Sequence, residues 1–161
     1  MGFAPQDGYI VDTSAFIHMG QSYPQDVFPT LWNRLEELIG RDGRVRSPEQ
    51  VQEELNVGAD ALARWADSKR STLFVPEDGG LLEKATGILR DFPRLVDPES
   101  SIPEADPFVI ALAEQYGWTV VTMERKSKVN ETKQRIPDVC VGRKIGCCDL
   151  LGLFRREGWK V

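Results

Sequence analysis

A chain of 161 residues with 41% apolar residues, 28% charged residues and four Trp suits one domain with a sizeable core, and excludes disordered and fibrous classes. No apolar run approaches the roughly 18 residues needed to cross a bilayer. Met1–Asp7 lacks the basic and apolar regions of a signal peptide and has Gln6 where myristoylation wants Ser or Thr, so a cytoplasmic protein is expected.

Tyr9-Ile10-Val11-Asp12 reads as the first strand. After a short turn of helix, residues 27–40 carry Phe28, Leu31, Trp32, Leu35, Leu38 and Ile39 at helical spacing. Gly40 and Gly43 stop that helix, and Arg44-Val45-Arg46 forms a brief second strand. Ser47 is expected to cap the next helix, with Pro48 in the first helical position and Gln50 three residues after the cap. That start places Glu53 and Glu54 about two turns in. A helix over 59–70 and a third strand at Leu73-Phe74-Val75 follow. Leu81, Leu82, Ala85, Ile88, Leu89 and Phe92 then define a helix closed by Pro93. After a loop over 93–105, with Pro98 and Pro103, Asp106 is expected to cap a helix over 107–116. A fourth strand covers 118–122, Ile136–Val141 gives a fifth, and Asp149 caps the last helix. Strands alternating with helices predict a single α/β domain over 1–161. It would have three layers, α/β/α, around a mostly parallel sheet of four to five strands.

Four acids stand where a strand ends or a helix begins: Asp12, Glu54, Asp106 and Glu124. In an open α/β sheet, ligands bind outside the carboxyl ends of the strands. Carboxylates gathered there can hold hard divalent cations through oxygen. Each also has a purely structural reading. Asp12 and Asp106 serve equally as helix caps, Glu54 as a helix former on a solvated face, and Glu124 as an ordinary charge after a strand. Neighbouring helix positions point about 100° apart, so only one of Glu53 and Glu54 can face the site squarely. Glu54 borders the buried stripe of Val51 and Leu55 and is preferred, with Glu53 in reserve. The hydroxyls of Thr13 and Ser14 are placed to support a water at such a cation. Taken jointly, the four acids point to metal-assisted chemistry on phosphate.

The net charge of −5 argues against a dedicated nucleic-acid binder, yet it is uneven. Between residues 125 and 144 lie Arg125, Lys126, Lys128, Lys133, Arg135, Arg143 and Lys144 against Glu131 and Asp138, a net +5 that leaves −10 for the remainder. Directly after the fourth acid, this segment is either a solvated loop or a surface that meets phosphates.

Other classes fit poorly. Cys140, Cys147 and Cys148 include no C-x-x-C, and reduced thiols are expected, with a bridge from Cys140 to either neighbour as the alternative. His18 is the lone histidine, which nearly excludes a two-imidazole ribonuclease and argues against a Ser-His-Asp triad. Ser14 stands where an Asp-nucleophile phosphatase would need its second Asp. No glycine-rich nucleotide motif is present.

Val11-Asp12-Thr13-Ser14, Val51-Gln52-Glu53-Glu54-Leu55, Ala105-Asp106-Pro107-Phe108-Val109-Ile110-Ala111-Leu112-Ala113 and Val120-Val121-Thr122-Met123-Glu124 occur in that order. Together they resemble the motifs of PIN-domain ribonucleases, the fold of the VapC-type toxins, over roughly residues 9–155. Phe28-Pro29-Thr30-Leu31-Trp32 and Ile136-Pro137-Asp138-Val139-Cys140 further resemble an uncharacterised PIN-like bacterial and archaeal family. The resemblance implies a catalytic and metal-binding set of Asp12, Glu54, Asp106 and Glu124 with Mg²⁺ or Mn²⁺. Glu124 falls where the family usually has Asp, and Arg125-Lys126 where a further acid often stands.

The implied activity is endoribonuclease hydrolysis of RNA phosphodiesters. Thr13, Ser14, Thr122 and Glu53 would support the site, and Arg125, Lys126 and Lys128 would bind RNA. The implied setting is a toxin–antitoxin pair, with an antitoxin Arg or Lys reaching the carboxylates and with a homodimeric toxin. The alternative is a PIN-like module that binds RNA or protein without cutting.

Overall fold

A computed structural model describes residues 7–99 and 104–161; Met1–Gln6 and Pro103, read above for targeting motifs and as a loop proline, lie outside them. Five strands, β1 (Tyr9–Val11), β2 (Val45–Pro48), β3 (Phe74–Val75), β4 (Thr119–Val121) and β5 (Cys147–Cys148), form one sheet of order β3-β2-β1-β4-β5. Every neighbouring pair is parallel. Parallel sheets are covered on both faces, which is why β1 is an unbroken buried run and β4 is apolar and buried after its first residue, Thr119. Ile10, Val120 and Val121 are fully buried.

The connecting helices are α1 (Thr13–Ser22), α2 (Pro29–Glu36), α3 (Glu49–Val57), α4 (Ala61–Ser68), α5 (Arg70–Leu73), α6 (Gly79–Asp91), α7 (Asp106–Tyr116), α8 (Ile136–Arg143) and α9 (Leu150–Arg156). The chain steps outward from β1 through β2 to β3, then returns past β1 to β4 and β5. Right-handed crossovers put the helices of these two journeys on opposite faces. The packing agrees: α7 lies on β1 and β4 against α6 and α8. On the other face, Phe154 of α9 joins Ala15, Phe16 and Met19 of α1 and Leu35 of α2 over Val11. The fold is thus three-layered, and its direction reverses between β1 and β4. A crevice opens at the carboxyl ends of those two strands.

Several expected elements are corrected. Ile136–Val141 is not the fifth strand. Pro137 sits in the first turn of a helix there, and the strand is the pair Cys147–Cys148. Ser47 is not a cap. It lies fully buried inside β2, and its hydroxyl donates to the Val11 carbonyl at 2.6 Å, stitching β2 to β1. The helix after it starts at Glu49, so no capping box forms and Glu54 is its sixth residue. Asp106 is the first helical residue of α7 rather than its cap, and makes no capping bond. The helix expected over 27–40 is α2, prolonged by a wide π turn over Glu37–Arg41. Gly43 follows at φ +63°, a left-handed backbone that glycine adopts without strain. Leu73 ends α5 instead of opening β3. Asp149 does cap α9, accepting from the Gly152 amide at 2.8 Å.

At the opposite end of the sheet from the crevice, Arg44 donates two bonds to Glu157, at 2.8 and 2.9 Å, and Tyr9 adds a hydroxyl bond of 2.6 Å. Burial alone would raise the Glu157 carboxyl, but the bonds from Arg44 and Tyr9 hold it below the usual range. Among the described residues, no helix is long and apolar enough to cross a membrane.

Candidate metal centre

Asp12 is held at the floor of the crevice because β1 ends there and its own amide still pairs with the Val121 carbonyl of β4 (2.9 Å). Its carboxylate makes no capping bond to α1. Instead Oδ2 accepts from the Ser14 hydroxyl at 2.6 Å and from the Thr122 hydroxyl at 2.8 Å. The same oxygens order the chain after β4. The Met123 amide donates to Ser14 Oγ at 3.0 Å and the Glu124 amide to Thr122 Oγ1 at 3.1 Å. Asp12 is 3% exposed, and two hydroxyl donors to a buried carboxylate offset much of its lost hydration.

Glu54 approaches from α3. It is half-buried, while Glu53 is exposed, so the helix turns Glu54 to the crevice. The Thr13 hydroxyl donates to Glu54 Oε1 at 2.8 Å. Asp106 opens α7 from the opposite face, and Glu124 Oε2 accepts from the Ile136 amide at the start of α8 (3.2 Å). The electrostatics show that these carboxyls share one neighbourhood. Burial, then the charges of Asp12, Glu124, Glu54 and Glu104, push the Asp106 carboxyl up to about 9. Burial raises Asp12 too, against the hydroxyl bonds of Ser14 and Thr122. Glu54 and Glu124 are raised first by burial and also by Asp12.

Such a donor set fits a hard divalent cation in chemistry and charge: all oxygen, mutually repelling, and partly protonated without a counter-charge. The spacing is wider than the chemistry. Among the described residues, no three His, Cys, Asp or Glu side chains stand as a ready-made metal cage. Each acid except Asp106 is turned onto a protein donor, Thr13, Ser14, Thr122 or the Ile136 amide. Those bonds engage one oxygen of each carboxylate, Oε1 of Glu54 and Oε2 of Glu124, so holding a cation does not require breaking them. One further oxygen lacks any partner among the described residues. It is Oε1 of buried Gln50, on α3 one turn before Glu54 and on the same helix face.

Exposed Arg125 and Lys126 border a surface cavity of about 460 Å³ together with Thr122 and Glu124. Lys128 is exposed further along the same segment. Ser127 is tied back by its amide and hydroxyl to Asp138 at 3.1 and 2.9 Å. Sequence reasoning missed Glu104, Gln50, Lys133 and Arg135 as members of this environment. Lys133 and Arg135 lower the Glu124 carboxyl against its burial. Only the acid spacing Glu104-Ala105-Asp106 offered a signal; the others depend on how loops fold back. His18 is half-buried and edge-on to Tyr23 at 6.1 Å, away from any acid partnership.

The fold and the crevice define a parallel α/β protein with clustered carboxylates at its topological switch point. The chain belongs to the family described as "Domain of unknown function (DUF4411)", whose match covers residues 9–161. No curated protein matches it.

Proposed function

We propose that this protein is a PIN-like, Mg²⁺- or Mn²⁺-dependent endoribonuclease. The observation that supports the reading is the convergence of Asp12, Glu54, Asp106 and Glu124, expressed in an Asp106 carboxyl pushed up to about 9 by burial and by the other three. Asp12, Glu54, Asp106 and Glu124 would hold the cation. When bound, it supplies positive charge that acidifies water and offsets charge on the phosphoryl oxygens. The chain's own contribution is positional. Ser14 and Thr122 lock the Asp12 carboxylate through paired hydroxyl bonds. Arg125, Lys126 and Lys128 offer their charge to the RNA backbone beside the crevice. A toxin role with an antitoxin partner, a homodimer and a cytoplasmic location belong to the same proposal.

The test uses the full-length protein and end-labelled single-stranded RNA with Mn²⁺. Internal cuts that vanish with chelator and in Asp12→Asn are expected. Cutting that survives chelation, or full activity of Asp12→Asn, overturns the reading; a terminal ladder identifies an exonuclease instead. One observation favours a second reading, a module that binds RNA or protein without cutting: the Glu124 carboxylate already serves the amide of α8. Calorimetry separates the two, since a non-catalytic module has no reason to retain a cation site.

A further inference from the structure

Gln50 is 5% exposed, and its Oε1 accepts no hydrogen bond from any described residue. A buried amide oxygen without a donor is destabilising, so the position calls for a donor from outside the chain. Helix α3 fixes the side from which it comes. One edge of its buried face is Gln52, whose Nε2 donates to Asp67 Oδ1 of α4 at 3.3 Å. Val51 and Leu55, packed in the core, form the middle. Gln50 and Glu54, four residues and so about 40° apart around the helix, form the other edge. On that edge Glu54 meets Thr13, the neighbour of Asp12, at 2.8 Å. Side chains lean toward the start of their helix, and α3 starts where β2 ends. Ser47 ties that end of β2 to Val11, the residue before Asp12, at 2.6 Å. Gln50 therefore stands between Glu54 and the strand ends that carry Asp12, on the wall of the acidic crevice. The hydroxyls there are already committed: Thr13 donates to Glu54, and Ser14 and Thr122 donate to Asp12.

We propose that Gln50 is a positioning residue of the metal centre, its Oε1 accepting a hydrogen bond from a water carried by the cation. This role rests on the metal-dependent reading above and adds to it a residue outside the four acids. Small divalent cations such as Mg²⁺ keep several waters when carboxylates bind them, and those waters donate to nearby oxygens. A neutral acceptor suits the place. The four carboxylates already outweigh the charge of one divalent cation, and a fifth would add to their repulsion. An amide oxygen accepts the bond and brings no charge. Partners of this kind orient what the metal holds, and losing one typically weakens metal binding by about 10- to 100-fold. Gln50 thus has opposite effects in the two states of the protein. Its oxygen is an unpaired, destabilising group without the cation and a paired one with it. A glutamine that served the fold alone would stabilise both states alike.

The experiment titrates the full-length protein with Mn²⁺ in a calorimeter and follows its thermal unfolding in chelator, for wild type, Gln50→Met and Gln50→Glu. Methionine keeps the length of the side chain without the oxygen. Gln50→Met is expected to melt roughly 3 °C higher than wild type in chelator, because the orphaned oxygen is gone. The same variant should bind Mn²⁺ about tenfold more weakly. Gln50→Glu returns an oxygen to the place and should bind Mn²⁺ no more weakly than wild type. Wild-type affinity in Gln50→Met, a lower melting temperature of Gln50→Met in chelator, or a Gln50→Glu protein as weak as Gln50→Met would overturn the role of Gln50 while leaving the metal centre standing. A wild-type protein that binds no Mn²⁺ would overturn both.

Discussion

Asp106→Asn removes one buried carboxyl while keeping its shape, and it should stabilise the metal-free protein. The native carboxyl is pushed up from 3.8 to about 9, so at pH 7 the folded chain keeps a proton that the unfolded chain has released. Stability therefore falls as pH rises through that window, because the native state binds more protons than the unfolded one. Between the ordinary value and pH 7 lie about 3 pH units, and at about 1.4 kcal/mol each the penalty at pH 7 is ~4 kcal/mol. Asparagine never ionises and avoids it. For a chain of this size, a gain of ~4 kcal/mol corresponds to roughly 10 °C in melting temperature.

The assay is thermal unfolding in chelator at pH 5, 6, 7 and 8, with wild type and Asp106→Asn side by side. The gap should widen steadily with pH and nearly close toward pH 4. Adding Mn²⁺ should raise the wild type far more than the variant, since a cation that binds only the folded chain stabilises it. An Asp106→Asn protein no more stable than wild type at pH 8 in chelator would refute the crowding of carboxyls on which the metal proposal stands.

Three further outcomes are expected. Glu157→Ala strips Arg44 of both bonds and Tyr9 of its acceptor, and should destabilise by about 2–3 kcal/mol in urea titrations without altering cation affinity. Because the Glu157 carboxyl is held below its ordinary value, its contribution should be full above that value and fade as pH falls through the native one. Replacing Arg125 and Lys126 by Ala should weaken RNA binding uniformly across sequences and reduce the salt slope of log affinity by about 2, read by fluorescence anisotropy. An unchanged slope would place the RNA elsewhere.

What could be read from local sequence was whatever depends on local periodicity. Tyr9-Ile10-Val11 and Thr119-Val120-Val121 are legible as buried parallel strands because burial on both faces removes the polar alternation. Asp149 caps α9 through a bond spanning three residues, a distance that the chain alone determines. Ile136–Val141 misled because its β-branched residues imitate a strand, whereas Pro137 in a first helical turn and packing on α7 decide for helix. β5 has two residues, too few to show any period.

Ser47 has the local chemistry of a cap, yet the carbonyl it serves, Val11, is 36 residues away. The acids divide the same way. Their type and order are written in the chain, as is the choice of Glu54 over Glu53, which follows from the buried stripe of Val51 and Leu55. Their meeting is not. It depends on the strand order that seats β1 beside β4, and on the return crossover that brings the start of α7 over both. Long-range packing selects that topology, and no window of neighbouring residues contains it.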